Sequence, residues 1–341
     1  MAEAPVRVPE EPDSAPPAPT AGLADPADPA DSGRRKRRRR TPYQSTVHRS
    51  SLWPFLAIPG TVWLALFFIA PMYVVMAIVF GRIDPVFRTP LPVWNPLQWN
   101  PAQFTYVFSH LVGEQGFFGA ALFRTLVYVA VASLLCLLIA YPVAYFTARF
   151  AGRRKGIILT LLIAPFWISY MMRMLAWVNL LQNDGLLNRT LSFGGLFQVN
   201  VDWLSGRSTT VILGLVYGYV PYMILPLFAG LDRIQQSVLE AARDLGAGPL
   251  STFRRVTWRL SLPAVVASVL LSCLPMLGDY FTNDLLSASP STSMVGNLIN
   301  NSALAPGQTG QAGAFVMIVL VVSLLPMLWY VRTSRDEGAR S

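Results

Sequence analysis

The chain has 341 residues, 53% of them hydrophobic and only 13% charged, and its mean hydropathy is +0.44. A soluble domain of this size needs a far more polar surface, and the apolar residues fall in discrete runs, the pattern of a membrane-spanning chain. The net charge of +9 is carried almost wholly by arginine: lysine occurs only at Lys36 and Lys155, neither preceded by glycine, which excludes ATP binding through a Gly-Lys-Ser/Thr phosphate loop.

Residues 1–33 are rich in Pro, Ala and Asp and poor in large apolar side chains. Such a segment buries too little to offset its ordering entropy, so residues 1–50 are expected to form a disordered arm. Within it, Arg34 to Arg40 is a nearly unbroken basic run. A run like this can bind nucleic acid, but its place just ahead of a membrane span favours a cytoplasmic anchor against anionic lipid headgroups, with no nucleic acid as partner.

Six runs are long enough to cross a bilayer, near 54–80, 122–148, 157–181, 208–231, 262–286 and 311–331. The first is too long for a signal-peptide core and follows a long polar segment, so it is expected to be retained. The arginines set the orientation. Arg149, Arg153, Arg154 and Lys155, then Arg233, Arg243, Arg254, Arg255 and Arg259, then Arg332, Arg335 and Arg340, all fall in alternate loops. The opposite loops hold few. Both termini are therefore expected inside, with 51–333 a six-helix membrane domain, 232–262 a cytoplasmic loop and 334–341 a cytoplasmic tail.

In the long outer loop 81–121, residues 102–112 place Phe104, Val107, Phe108 and Leu111 at helical spacing. This predicts a short helix lying at the outer surface, with His110 an interfacial residue. Cys136 and Cys273 both lie in apolar runs, so neither a disulfide nor a metal site is expected. Pro142, Pro165, Pro221, Pro226, Pro275, Pro326, Gly214 and Gly218 fall inside spans, where they mark either bends around a pathway or ordinary membrane-helix kinks.

Between the fourth and fifth runs lies Glu240-Ala-Ala-Arg-Asp-Leu-Gly246. Ile234 to Leu245 is expected to form one amphipathic helix, with Leu239, Ala242 and Leu245 near one face and Glu240 and Asp244 on another. Gly246 suits a left-handed helix end, and Pro249 the first turn of a second helix running through Phe253 and Arg254 toward Arg259. Ala241 and Ala242 would let a partner approach closely.

This loop resembles the E-A-A…G loop of the membrane subunits of ATP-binding-cassette importers. Phe166-Trp-Ile-Ser169 followed by Arg173, Gly214-Leu-Val-Tyr217 and Pro221 to Leu227 look like the spermidine/putrescine permease branch, and the similarity covers roughly residues 54–333. The chain departs from the family where the loop usually closes with Ile-x-Leu-Pro; here Val256-Thr-Trp-Arg259 stands, which puts the geometry of the second loop helix in question. The resemblance implies an all-α, six-helix, type I importer permease bundle with no catalytic or metal site of its own. It implies an ATPase dimer that binds ATP and magnesium and docks on Glu240, Ala241, Ala242, Asp244, Gly246, Phe253 and Arg254. A second homologous permease, an extracytoplasmic substrate-binding protein and membrane lipids complete the partners. A polyamine is the implied solute. Another small cationic solute or ferric iron, and beyond the family a secondary transporter or a channel, stand as alternatives.

Charge inside a membrane is costly, which singles out Arg173, Asp279 and Asp284. Arg173 and Asp279 each lie sixteen residues past the inner start of their runs and so, at about 1.5 Å per residue, reach a similar depth. They are expected to pair, to line the translocation path jointly, or to lock the bundle. Asn283 falls one turn beyond Asp279 and Asp284 near the outer mouth. Asp279 and Asp284 could serve a cationic solute, with Tyr280, Trp167 and Tyr217 as cation–π partners, although Asp284 fits an interfacial residue better than a solute ligand and membrane interfaces collect such aromatics without one.

Overall fold

The computed structural model describes residues 52–112, 117–193 and 201–338. The arm 1–50 with its basic run lies outside the described residues, as do residues 339–341 of the short tail. Among the described residues the chain is helical apart from a small antiparallel ribbon of β1 (Arg82–Ile83) and β2 (Pro90–Leu91). In chain order the helices are α1 (Leu52–Val79), α2 (Ala102–Val112), α3 (Phe117–Arg149), α4 (Lys155–Ile163), α5 (Tyr170–Leu181), α6 (Leu186–Phe193), α7 (Ser208–Asp232), α8 (Gln236–Asp244), α9 (Pro249–Thr252), α10 (Trp258–Leu277), α11 (Phe281–Leu286), α12 (Val295–Leu304) and α13 (Thr309–Gly338).

Five helices among the described residues are long and apolar enough to span a membrane, and a sixth span is formed if the bent pair Gly152–Trp167 and Tyr170–Ser192 counts as one. The third run is thus not the straight helix expected over 157–181. It breaks across Ala164–Ser169 and turns through 83°. The fifth run breaks too: α10 ends at Leu277 and the chain restarts as α11. Hydropathy stays high on both sides of each break, so composition hides them. Pro165 and Gly278 are the local signals. By contrast α7 runs unbroken through Pro221 and Pro226, and α3 through Pro142.

The core is the packing of α3 against α7, with α10 laid over both; Val129, Cys136, Leu215, Met223, Leu227 and Met276 fill it. Small buried serines on α10 (Ser261, Ser268, Ser272) allow close approach, as usual for membrane helices. The glycines of α7 are slots, not bends. A Cβ at Gly218 would lie 2.7 Å from the Tyr170 ring, and one at Gly214 would lie 2.6 Å from Thr282 Cγ2. They seat α5 and α11 against the middle of α7.

A second cluster joins α1, α2, α3, α12 and α13 through Val79, Val107, Ala121, Leu298 and Phe315. The α2 helix exists as expected, but its Phe104 and Val107 pack on this cluster. It is therefore a protein-packed helix on that face rather than one lying free at an interface. The outward faces of α1 and α13 stay uncovered, with Trp63, Phe68, Leu325 and Trp329 exposed. Such apolar area suits lipid or another membrane subunit.

Candidate functional site

The loop after α7 forms the helix, turn and helix expected of it. Gly246 adopts φ +82°, its N–H reaches the Arg243 carbonyl at 2.8 Å, and the Ala247 N–H reaches that of Ala242 at 3.0 Å. These two bonds close α8 with a Schellman turn, which needs a left-handed residue at that point. Leu239 is buried and anchors α8, while Glu240, Ala241 and Asp244 are exposed. Leu245 does not share the Leu239 face. It leaves helical geometry at the cap and is 89% exposed, beside an exposed Leu250.

From Pro249 the chain continues as helix to Leu277, with one π turn over Phe253–Thr257. That turn overlaps Val256-Thr-Trp-Arg259, where the loop departs from the importer pattern. Phe253 faces inward: its ring stands edge-on to Tyr141 and Tyr145 of α3 at 5.9 and 5.7 Å. It fastens the loop to the bundle, whereas Arg254, Arg255 and Arg259 remain exposed.

Two contacts unforeseen from the sequence fix the loop's base. Arg149, at the end of α3, donates to the carbonyls of Ile234 (3.0 Å) and Leu231 (3.1 Å), capping α7. Lys155 forms an ion pair with Asp232. A cation at a helix C-terminus is favourable through both the dipole and the orphan carbonyls.

Midway along α7 lies a buried polar knot. Asp279 is 6% exposed and its Oδ2 accepts from Tyr170 Oη (2.7 Å), Tyr219 Oη (3.1 Å) and Thr282 Oγ1 (2.6 Å). Oδ1 accepts the Thr282 backbone N–H at 3.1 Å. The carboxylate therefore ties together α5, α7 and the start of α11. Arg173, 7% exposed, does not pair with it. Its guanidinium lies over Phe166 (4.2 Å), Tyr170 (5.4 Å) and Tyr217 (5.9 Å), and Nε and Nη1 have no hydrogen-bond partner.

The expected Arg173–Asp279 pair is thus corrected: Tyr170 stands between them, one face to the cation and its hydroxyl to the acid. Equal spacing along the chain does not give equal depth here, because both helices break before reaching these residues. Tyr217 is engaged by the protein's own arginine, not left open for a solute, and Trp167 is 80% exposed away from the knot. Tyr280 stacks on Phe281 at 4.1 Å and gives its carbonyl to Asn297. Tyr219 and Thr282 were not identified beforehand. The D-x-x-T spacing of Asp279 and Thr282 is a readable helix-start signal.

Asn283 and Asp284 face elsewhere. They border a polar pocket of about 600 Å³ with Tyr106, Phe118, Asn297 and Asn301 among its walls. The pocket lies beside Phe118, near the start of α3, whereas the loop lies beside Arg149 at its end. About thirty residues of helix separate them, on the order of 45 Å. The two sites are at opposite ends of the bundle.

A broken-helix bundle with a capped helix–turn–helix at one end and a polar pocket at the other is the frame of a membrane transport subunit. The profile of binding-protein-dependent transport system inner membrane components matches residues 140–335. The chain belongs to that family and is a multi-pass membrane protein. Relatives include the spermidine/putrescine transport system permease protein PotB of Escherichia coli (strain K12), 34% identical over 205 residues, which cover 60% of this chain and 74% of that protein. PotB of Haemophilus influenzae is 31% identical over 271 residues, 79% of this chain and 88% of its own. In fold, the chain matches one from the crystal structure of a bacterial alginate ABC transporter in complex with alginate pentasaccharide-bound periplasmic protein. The TM-score is 0.64 at 19% identity, covering 85% of this chain and 96% of that one.

Proposed function

We propose that this chain is the permease subunit of an ATP-driven polyamine importer, pairing with a second permease, an ATPase dimer and an external binding protein. The observation that carries the reading is the Gln236–Arg259 loop: a capped, exposed helical tip on which, among the described residues, nothing covers Glu240, Leu245 or Leu250. The relatives' names supply the solute class. The arginine bias supports an orientation with the loop and both termini inside the cell, on the side where an ATPase works. ATP and magnesium would be held by that partner.

In this reading the ATPase moves α8. Arg149, the Lys155–Asp232 pair and Phe253 pass the displacement to α3, α4 and α7 together, so the inner end of the bundle moves as one body. The Asp279 knot holds the middle, and the breaks at 164–169 and 278–280 let the short helices reorient about it. Alternating access then needs no chemistry from this chain.

The test is uptake of radiolabelled spermidine into cells lacking other polyamine importers, with the chain and its partner subunits supplied. Uptake should require ATP and should vanish in Glu240→Lys while the protein remains in the membrane. ATP-independent uptake, or unchanged uptake in Glu240→Lys, would refute the reading.

A further inference from the structure

The two acids that look alike in sequence have opposite surroundings, and the difference points to a ligand. Asp279 has its acceptor capacity taken by three hydroxyls and a peptide N–H. Asp284 is exposed at the pocket and no arginine or lysine pairs with it among the described residues. Among the described residues its carboxylate accepts from Asn297 Nδ2 at 2.6 Å. Arg124, the nearby cation, is engaged with the backbone carbonyls of Ser291 and Ser293.

Beside Asp284, Asn283 is 2% exposed, borders the same pocket, and has a buried amide oxygen without a partner. That oxygen is closed off from the pocket opening, so the exposed acceptor there is Asp284. The polar groups beside Asp284 are held in place. Asn297 donates to both Tyr280 O and Asp284 and accepts from the Met294 N–H at 2.9 Å. The Val295 N–H is held by Thr125 at 2.9 Å. The pocket therefore holds one exposed carboxylate without a cationic partner among the described residues, with Tyr106 and Phe118 at its wall.

We propose that this pocket is a hand-over site for an alkylammonium group of the solute. A primary ammonium has three N–H donors and no acceptor. The Asp284 carboxylate supplies the counter-charge and accepts ammonium N–H groups, and the aromatic wall receives the adjoining methylenes. Asn297 is a positioning residue, holding the carboxylate toward the opening. Asp279 takes no part in solute binding. The proposal rests on the polyamine reading above and sharpens where the solute first meets the permease.

Occupancy can be read directly in the assembled transporter in membrane vesicles. Asn301→Cys places a thiol in the exposed part of the pocket, while the native Cys136 and Cys273 lie within the membrane helices. Modification of that thiol by a membrane-impermeant methanethiosulfonate reagent is followed with and without spermidine. Spermidine at about ten times its dissociation constant should slow labelling about tenfold. Asp284→Asn in the same background should abolish the protection, since an amide can still accept the Asn297 bond but carries no charge. Asp284→Glu should keep most of it.

Protection that survives Asp284→Asn, or equal protection by magnesium, overturns the site. Spermidine uptake by the unlabelled transporter is measured in parallel. With uptake intact and no protection, the pocket assignment falls and the polyamine reading stands; with no uptake, both fall.

Discussion

The loop end of the bundle and its buried middle treat charge in opposite ways. At the loop, Glu240, Asp244, Arg254, Arg255 and Arg259 are exposed on a helix–turn–helix whose internal contacts are apolar or backbone. In the middle, Asp279 is fully engaged and Arg173 is boxed by aromatic rings. The lesson concerns how functional residues are recognised. A charge enclosed by its own chain holds structure; a charge left uncovered is available to a partner.

The contrast can be broken by substitutions ordered by their cost in stability. Asp279→Ala removes the shared acceptor of three hydroxyls and a peptide N–H inside the bundle, and is expected to cost about 3 kcal/mol of thermal stability in nanodiscs. Asp279→Asn should cost less than half as much. If Ala is tolerated, the knot is not structural. Gly218→Val pushes a side chain into the Tyr170 ring and should cost about 2 kcal/mol, read in the same melting assay.

Arg149→Gln removes the cap on α7 and should cost about 1 kcal/mol. It should also lower the uptake obtained per ATP hydrolysed, because the loop's base loosens. Glu240→Lys should change stability by less than about 0.5 kcal/mol while abolishing transport. Trp167→Ala, at an exposed face, should leave both spermidine uptake and melting within error. A large transport defect there would restore Trp167 to the pathway.

Much of this was legible in the sequence. Long apolar runs have few options in a bilayer, so the first, second, fourth and sixth spans were legible to within about five residues, whereas the third is bent and the fifth ends at Leu277, short of its expected end; Gly246 followed by Pro249 announced the turn. The α2 helix was equally clear from Phe104, Val107 and Phe108. What the sequence hid were the interruptions. A break between two apolar stretches leaves hydropathy unchanged, and both breaks fall just before Arg173 and Asp279, where depth was being counted. Leu245 was misplaced because a cap residue no longer follows the helical period. Arg149 looked like one more basic flank residue; its bond to α7 is a contact between distant segments that no local pattern encodes.

The central claim is that a nucleotide-hydrolysing partner grips the tip formed by Glu240 to Leu250. A photo-crosslinking amino acid placed at Leu245, 89% exposed at the tip, and separately at Leu97, 94% exposed in the long loop before α2, tests it in whole cells. The account predicts an adduct containing an ATPase subunit, identified by mass spectrometry, from position 245 and none from position 97. No ATPase adduct from 245, or an equal one from 97, would contradict it.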